Sequence, residues 1–110
     1  MSEINRSHKP EIMFDENAAE YNRLAKEGKA PDIRNMNLSD LDLTSFSLKN
    51  ADLSGCYLRG ANLKGLDLSE ANLNGASIKN AFISGTLFPR GLGACEIQMS
   101  HSFGTRLRQG

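Results

Sequence analysis

The amino-acid sequence predicts an all-β solenoid of very short extended segments with a helix at each end, and three observations predict it. Residues 36–85 divide into ten consecutive five-residue units, each with Leu or Ile at its centre: Leu38, Leu43, Leu48, Leu53, Leu58, Leu63, Leu68, Leu73, Ile78 and Ile83. The positions two before those centres are apolar throughout, being Met36, Leu41, Phe46, Ala51, Cys56, Ala61, Leu66, Ala71, Ala76 and Ala81. Five units end in Gly (Gly55, Gly60, Gly65, Gly75, Gly85) and two in Asn, residues suited to a corner where φ is positive.

A period of five defeats both regular secondary structures. On an α-helix each five-residue step rotates the Leu by roughly 140°, so no apolar stripe forms. On a straight strand an odd step sends successive Leu residues to opposite faces. The chain must therefore turn once per unit if all ten centres are to share one core. Within a unit the pattern is apolar, polar, apolar, polar, polar, which fits two inward side chains on an extended segment followed by a corner. The residue before each centre is most often Asp or Asn, whose side chain can bond nearby backbone at a turn.

The units ADLSG, ANLKG, LDLSE, ANLNG and ASIKN resemble the A(D/N)LXX consensus of the pentapeptide-repeat family. The resemblance implies a right-handed quadrilateral β-helix with four units per coil. It also makes PDIRN (31–35) a degenerate opening unit and TLFPR (86–90) a closing one, for about three coils over 31–90. Residues twenty apart then stack, giving the columns Met36/Cys56/Ala76, Leu41/Ala61/Ala81, Phe46/Leu66/Thr86 and Ala51/Ala71, with the bulk toward the N-terminal end.

A β-helix leaves an unpaired edge and exposed core at each end, so caps are required. Residues 1–30 are expected to hold a polar tail followed by a capping helix. Asp15 is placed as its N-cap, Phe14 as a hydrophobic staple and Gly28 at its C′ position, with Ala18, Tyr21, Leu24 and Ala25 on one face. Beyond Gly85 the repeat decays, because Pro89 cannot donate to a ladder. Residues 91–110 form a third region, in which ACEIQMSHSF (94–103) reads as a helix ending at Gly104. Leu92, Cys95, Met99 and Phe103 lie near one side of it, a cap or a dimer surface, and Ile97 near the other.

Composition sets bounds on function. The chain has 110 residues, 39% of them hydrophobic, enough for one core. Its 13 basic and 13 acidic residues cancel, so no footprint of nucleic-acid or membrane-surface binding is present. Mean hydropathy is −0.42 and no apolar run approaches a membrane span. The N-terminal MSEINRSHKP lacks the apolar core of a secretory signal, and a cytoplasmic location is expected. Cys56 reads as a small core residue, and Cys95, His101 and His8 with it make no metal-ligand set.

No catalytic constellation appears. Asp42, Asp52 and Asp67 sit before centres on different sides and are not a paired-carboxylate site, and neither a nucleophile elbow nor a phosphate loop is present. The expected function is a non-enzymatic interaction module or adaptor for a protein partner, without cofactor, metal or direct nucleic-acid contact. Outward positions bring Tyr57, Arg59 and Lys79 to one side and Lys64 and Phe82 to the next. The opposite sides carry Asp52, Asp67, Glu70, Asn72 and Asn74, with Lys49 as an exception. The candidate partner surface is therefore Tyr57, Arg59, Lys64, Lys79 and Phe82, with Arg106 and Arg108 of the C-terminal segment as a competing site that could also mediate a homodimer. Family members that mimic B-DNA and bind type II topoisomerases suggest an alternative. It fits less well, because six acidic and six basic residues between Pro31 and Arg90 leave the repeat region neutral, and three coils make a short rod.

Overall fold

A computed structural model describes residues 18–109. The expected tail and the Phe14 and Asp15 helix start lie outside the described residues.

The repeat region winds into stacked coils. Six isolated bridges, all parallel, join Asn37 to Tyr57, Asp42 to Asn62, Asp52 to Asn72, Tyr57 to Ser77, Asn62 to Phe82 and Asp67 to Leu87, each pair twenty residues apart. Twenty residues are four units, so each coil has four sides. Among the described residues the contacts stay isolated bridges rather than strands, because each side is extended for only two or three residues before it turns. Between coils the centre N–H donates forward, as from Leu58 to Ser77 O at 2.8 Å, and the residue before the centre donates back, as from Tyr57 to Met36 O at 2.9 Å.

Each corner is a four-residue turn closed from the centre carbonyl to the first N–H of the next unit, as in Cys56 N to Leu53 O at 3.1 Å. Its third residue has positive φ in Asn35, Gly55 and Gly75, in Asp40, Gly60 and Asn80, and in Gly65 and Gly85, with Ser45 at the head of that third column the exception. That is the demand of a type II turn. The fourth column, Asn50, Glu70 and Arg90, turns without positive φ and needs no Gly. The Asp and Asn residues before the centres perform the expected task. Asp32, Asn37, Asp42, Asp52, Asn62, Asp67 and Asn72 each accept, through Oδ1, the N–H of the residue two positions on.

The interior is the column of centres. Leu38, Leu43, Leu53, Leu58, Leu63, Leu68, Leu73 and Ile78 are fully buried, and Ile33 joins them as the centre of the opening unit. Ile83 is only half-buried, since it stands on the last coil. Cys56 fills its column as an inert thiol: it donates to Ile33 O at 3.0 Å, and burial pushes its pKa up to about 11.

The helix α1 (Ala18–Lys26) covers the first coil. Tyr21 is buried and meets Phe46 edge-on at 5.5 Å, with Ala18 and Ala25 beside it. Asn22 fixes the contact in polar terms, donating to Ser45 O at 3.0 Å and accepting from Ser47 N at 2.7 Å. Gly28 takes φ +76°, and the bonds from Gly28 N to Ala25 O and Lys29 N to Leu24 O stop the helix as a Schellman motif.

The other end is closed by the helix α2 (Ala94–Phe103) and the segment after it. Four N–H groups that would donate to a further coil find substitutes there. Leu73 N meets Gln109 Oε1, Gly75 N meets Leu107 O, Ile78 N meets Ser100 Oγ and Asn80 N meets His101 O, all within 2.7–3.0 Å. Leu107 is buried and seals the core beneath. One expectation is corrected. The face of α2 that packs on the barrel carries Ile97 and the buried Ser100, whereas Cys95, Met99 and Phe103 point away. Edge satisfaction outweighs the apolar stripe, because a buried donor without a partner costs about 1–3 kcal/mol. Leu92, in the turn before the helix, is buried as a core residue.

Candidate interaction surface

The repeat assigns Asp or Asn to the position before each centre, so departures there are informative. Tyr57, Phe82 and Leu87 depart furthest, putting large apolar side chains where the turn-making carboxamide or carboxylate belongs. They are 42%, 54% and 57% exposed. Each such substitution forfeits a turn hydrogen bond of about 0.5–1.5 kcal/mol and hides little apolar area in return. Departures from a local rule concentrate at functional sites, and at Tyr57 part of the cost is offset by Arg106.

Tyr57 does not stand alone. Arg106, 49 residues later, lies over its ring with the guanidinium carbon 5.3 Å from the centroid, and donates through one terminal nitrogen to Tyr57 Oη at 2.8 Å. Its other terminal nitrogen donates to Gly75 O at 2.9 Å. The segment that carries Arg106 is drawn across this side by Gly104, which has φ +78° and whose carbonyl accepts from Ser77 Oγ at 3.1 Å. A β-carbon at Gly104 would sit 3.3 Å from the Lys79 stem, so the tail passes close over that lysine.

The result is an open concavity of about 580 Å³ between the barrel side and the C-terminal segment, lined among others by Tyr57, Arg59, Lys79, Phe103 and Arg106. Phe103 is 70% exposed. Its helical spacing groups it in sequence with Leu92, Cys95 and Met99 as a cap or a dimer surface and does not place it beside Tyr57. On the next side Lys64 Nζ stands 5.6 Å from the centroid of Phe82.

Charges sort by side. Arg23, Arg34, Lys49 and Arg108 each have a carboxylate partner, in Glu20 and Glu27, Asp32, Asp67 and Glu96 respectively. Arg59, Lys64, Lys79 and Arg106 have none among the described residues, nor do Lys26, Lys29 and Arg90 elsewhere on the surface. The Asp-rich sides are thus partly neutralised by Arg34 and Lys49, while the Tyr57 side keeps its cations, with Asp40 the one acid at its corner. Arg108 is taken up by Glu96, which accepts from its side chain at 2.7 and 3.0 Å and from its backbone N–H at 3.0 Å. That pairing holds the Glu96 carboxyl below its ordinary range. The two sites read from sequence as rivals are therefore joined through Arg106, and Arg108 serves the tail's own anchorage.

Among the described residues no group of three His, Cys, Asp or Glu could hold a metal, and no helix is long and apolar enough to cross a membrane. Comparison with protein families finds pentapeptide repeats, in 8 copies, over residues 37–75 and 51–88. No curated protein and no solved structure matches the chain.

Proposed function

We propose that this chain, which belongs to the pentapeptide-repeat family, is a right-handed quadrilateral β-helix of about three coils that works as a non-enzymatic protein–protein interaction module. Handedness comes from the family, and the four-sided coil agrees with the twenty-residue register of the bridges. The observation that carries the function is the exposure of Tyr57 and Phe82 at positions the repeat gives to turn-making residues, with Arg106 and Phe103 extending the Tyr57 side. Aromatic and Arg side chains supply most of the energy of interface hot spots, and a rigid barrel presents them with little entropy to lose. The outward Cys95 and Met99 of α2, away from the Tyr57 side, are the face by which a second copy would join the same assembly.

Affinity purification from the source organism, with mass spectrometry, tests the reading. Replacing Tyr57 and Phe82 together by Ser is expected to keep a cooperative melt, lowered only by the loss of the Arg106 contact, and to weaken capture of the recovered partner by about 1 kcal/mol or more. Truncation after Gly91 is unsuitable as the control, because it would uncover the N–H groups of Leu73, Gly75, Ile78 and Asn80. Arg106→Ala replaces it. Unchanged capture by both variants would place recognition elsewhere.

A further inference from the structure

The concavity beside Tyr57 has a chemistry that specifies more than a generic protein contact. Arg59, Lys79 and Arg106 line it, and none has a carboxylate within ion-pair distance among the described residues. Arg106 is held in place by Tyr57 Oη and Gly75 O, one bond from each terminal nitrogen. A guanidinium offers five donors, so its remaining N–H groups are presented on an ordered side chain. Gly104 passes close over the stem of Lys79, where an added β-carbon would lie 3.3 Å away. At the mouth stands Phe103, 70% exposed, an apolar surface next to three cations.

From this juxtaposition we infer that the concavity is a binding site for an acidic peptide segment, whose carboxylates meet Arg59, Lys79 and Arg106 and whose neighbouring apolar side chain packs on Phe103 and the Tyr57 ring. The inference rests on the interaction-module reading and names the partner's chemistry. Charge complementarity selects this occupant. Cations without a carboxylate partner attract a carboxylate-bearing ligand, and Arg106, already held by two bonds, loses little freedom when it binds one. A nucleic acid is disfavoured, since a phosphate backbone demands a run of cations along its length and this chain has zero formal net charge. The C-terminal segment forms one wall of the concavity through Phe103, Gly104 and Arg106.

Selection of a random dodecapeptide display library on the immobilised full chain provides the test, followed by fluorescence anisotropy with the enriched peptides. The expected result is enrichment of peptides with at least two Asp or Glu beside an apolar residue. Replacing their acids by Asn and Gln should weaken binding about tenfold, the scale of two or three partly exposed charge pairs. The double variant Arg59→Gln/Lys79→Gln should lose a similar factor, with an unchanged melting curve, because both side chains are outside the core. Phe103→Ser should weaken binding further and independently of salt. Enriched peptides without acidic bias, acidic peptides indifferent to the double variant, or no enrichment at all would overturn the inference. So would tighter binding of a single-stranded DNA dodecamer than of any peptide. Neutral peptides that depend on Tyr57 and Phe82 would overturn it while leaving the interaction module standing.

Discussion

The twenty-residue register can be tested at a single corner column. Gly55 and Gly65 close units two apart, on different corner columns, and both have positive φ, +72° and +70°. A β-carbon at Gly65 would meet nothing within 4 Å, whereas one at Gly55 would lie 1.9 Å from Asn35 Oδ1 and 3.0 Å from its Cγ. Gly65→Ala therefore bears only the left-handed backbone cost of about 1–2 kcal/mol. The stiffer unfolded chain offsets about 0.4–1 kcal/mol of that. Gly55→Ala adds the displacement of Asn35 from its rotamer, about 0.5–1.5 kcal/mol. At about 4–8 °C per kcal/mol, Gly65→Ala should lower Tm by about 5 °C and Gly55→Ala by about 10 °C. Asn35→Gly keeps the positive φ legal and clears the space, so Gly55→Ala in that background should cost no more than Gly65→Ala. Circular dichroism melts and urea curves of the double-mutant cycle measure the coupling. A coupling below about 0.3 kcal/mol, within ordinary additivity, would refute the stacking of residue 35 on residue 55.

Two further outcomes follow from the same geometry. Leu63→Asp, at a fully buried centre of the middle coil, should abolish the cooperative melt, since an unpaired carboxylate enters an apolar interior; Asn62→Asp keeps the acceptor for Lys64 N, so its melting temperature should stay near the parent's. Asp32, bonded by the Arg34 side chain and backbone, has its carboxyl lowered to about 2, below the unfolded value. Its contribution is then present above the ordinary carboxylate pKa and lost as pH falls toward 2. Carboxyl-carbon NMR titration should find that midpoint and should find it raised in Arg34→Gln; an ordinary midpoint in the parent chain would contradict the ion pair.

What the sequence determined by itself is whatever the five-residue period carries. Apolar residues at the first and third positions of every unit leave one arrangement that buries both, so the buried centres, the Asp and Asn turn bonds and the Gly corners were legible residue by residue. The outward direction of Tyr57, Arg59, Lys79, Lys64 and Phe82 follows from the same period. The coil length does not, for a period of five requires a corner per unit but not four corners per coil; the bridges at twenty residues supply it.

Tertiary structure alone decided the C-terminal end. Its ten-residue helix has apolar groups on two sides, and which side packs depends on a demand local sequence does not carry, the open N–H groups of Ile78 and Asn80. Ser100 and His101 answer that demand, which turns Ile97 inward and Phe103 outward. Arg106 reaches Tyr57 for the same reason: Leu107 and Gln109 are pulled onto the last coil's edge, and the residue before them is set down over the ring. No period relates residues 57 and 106. Only the need to close an unfinished β edge brings them together, and that need is a property of the folded barrel.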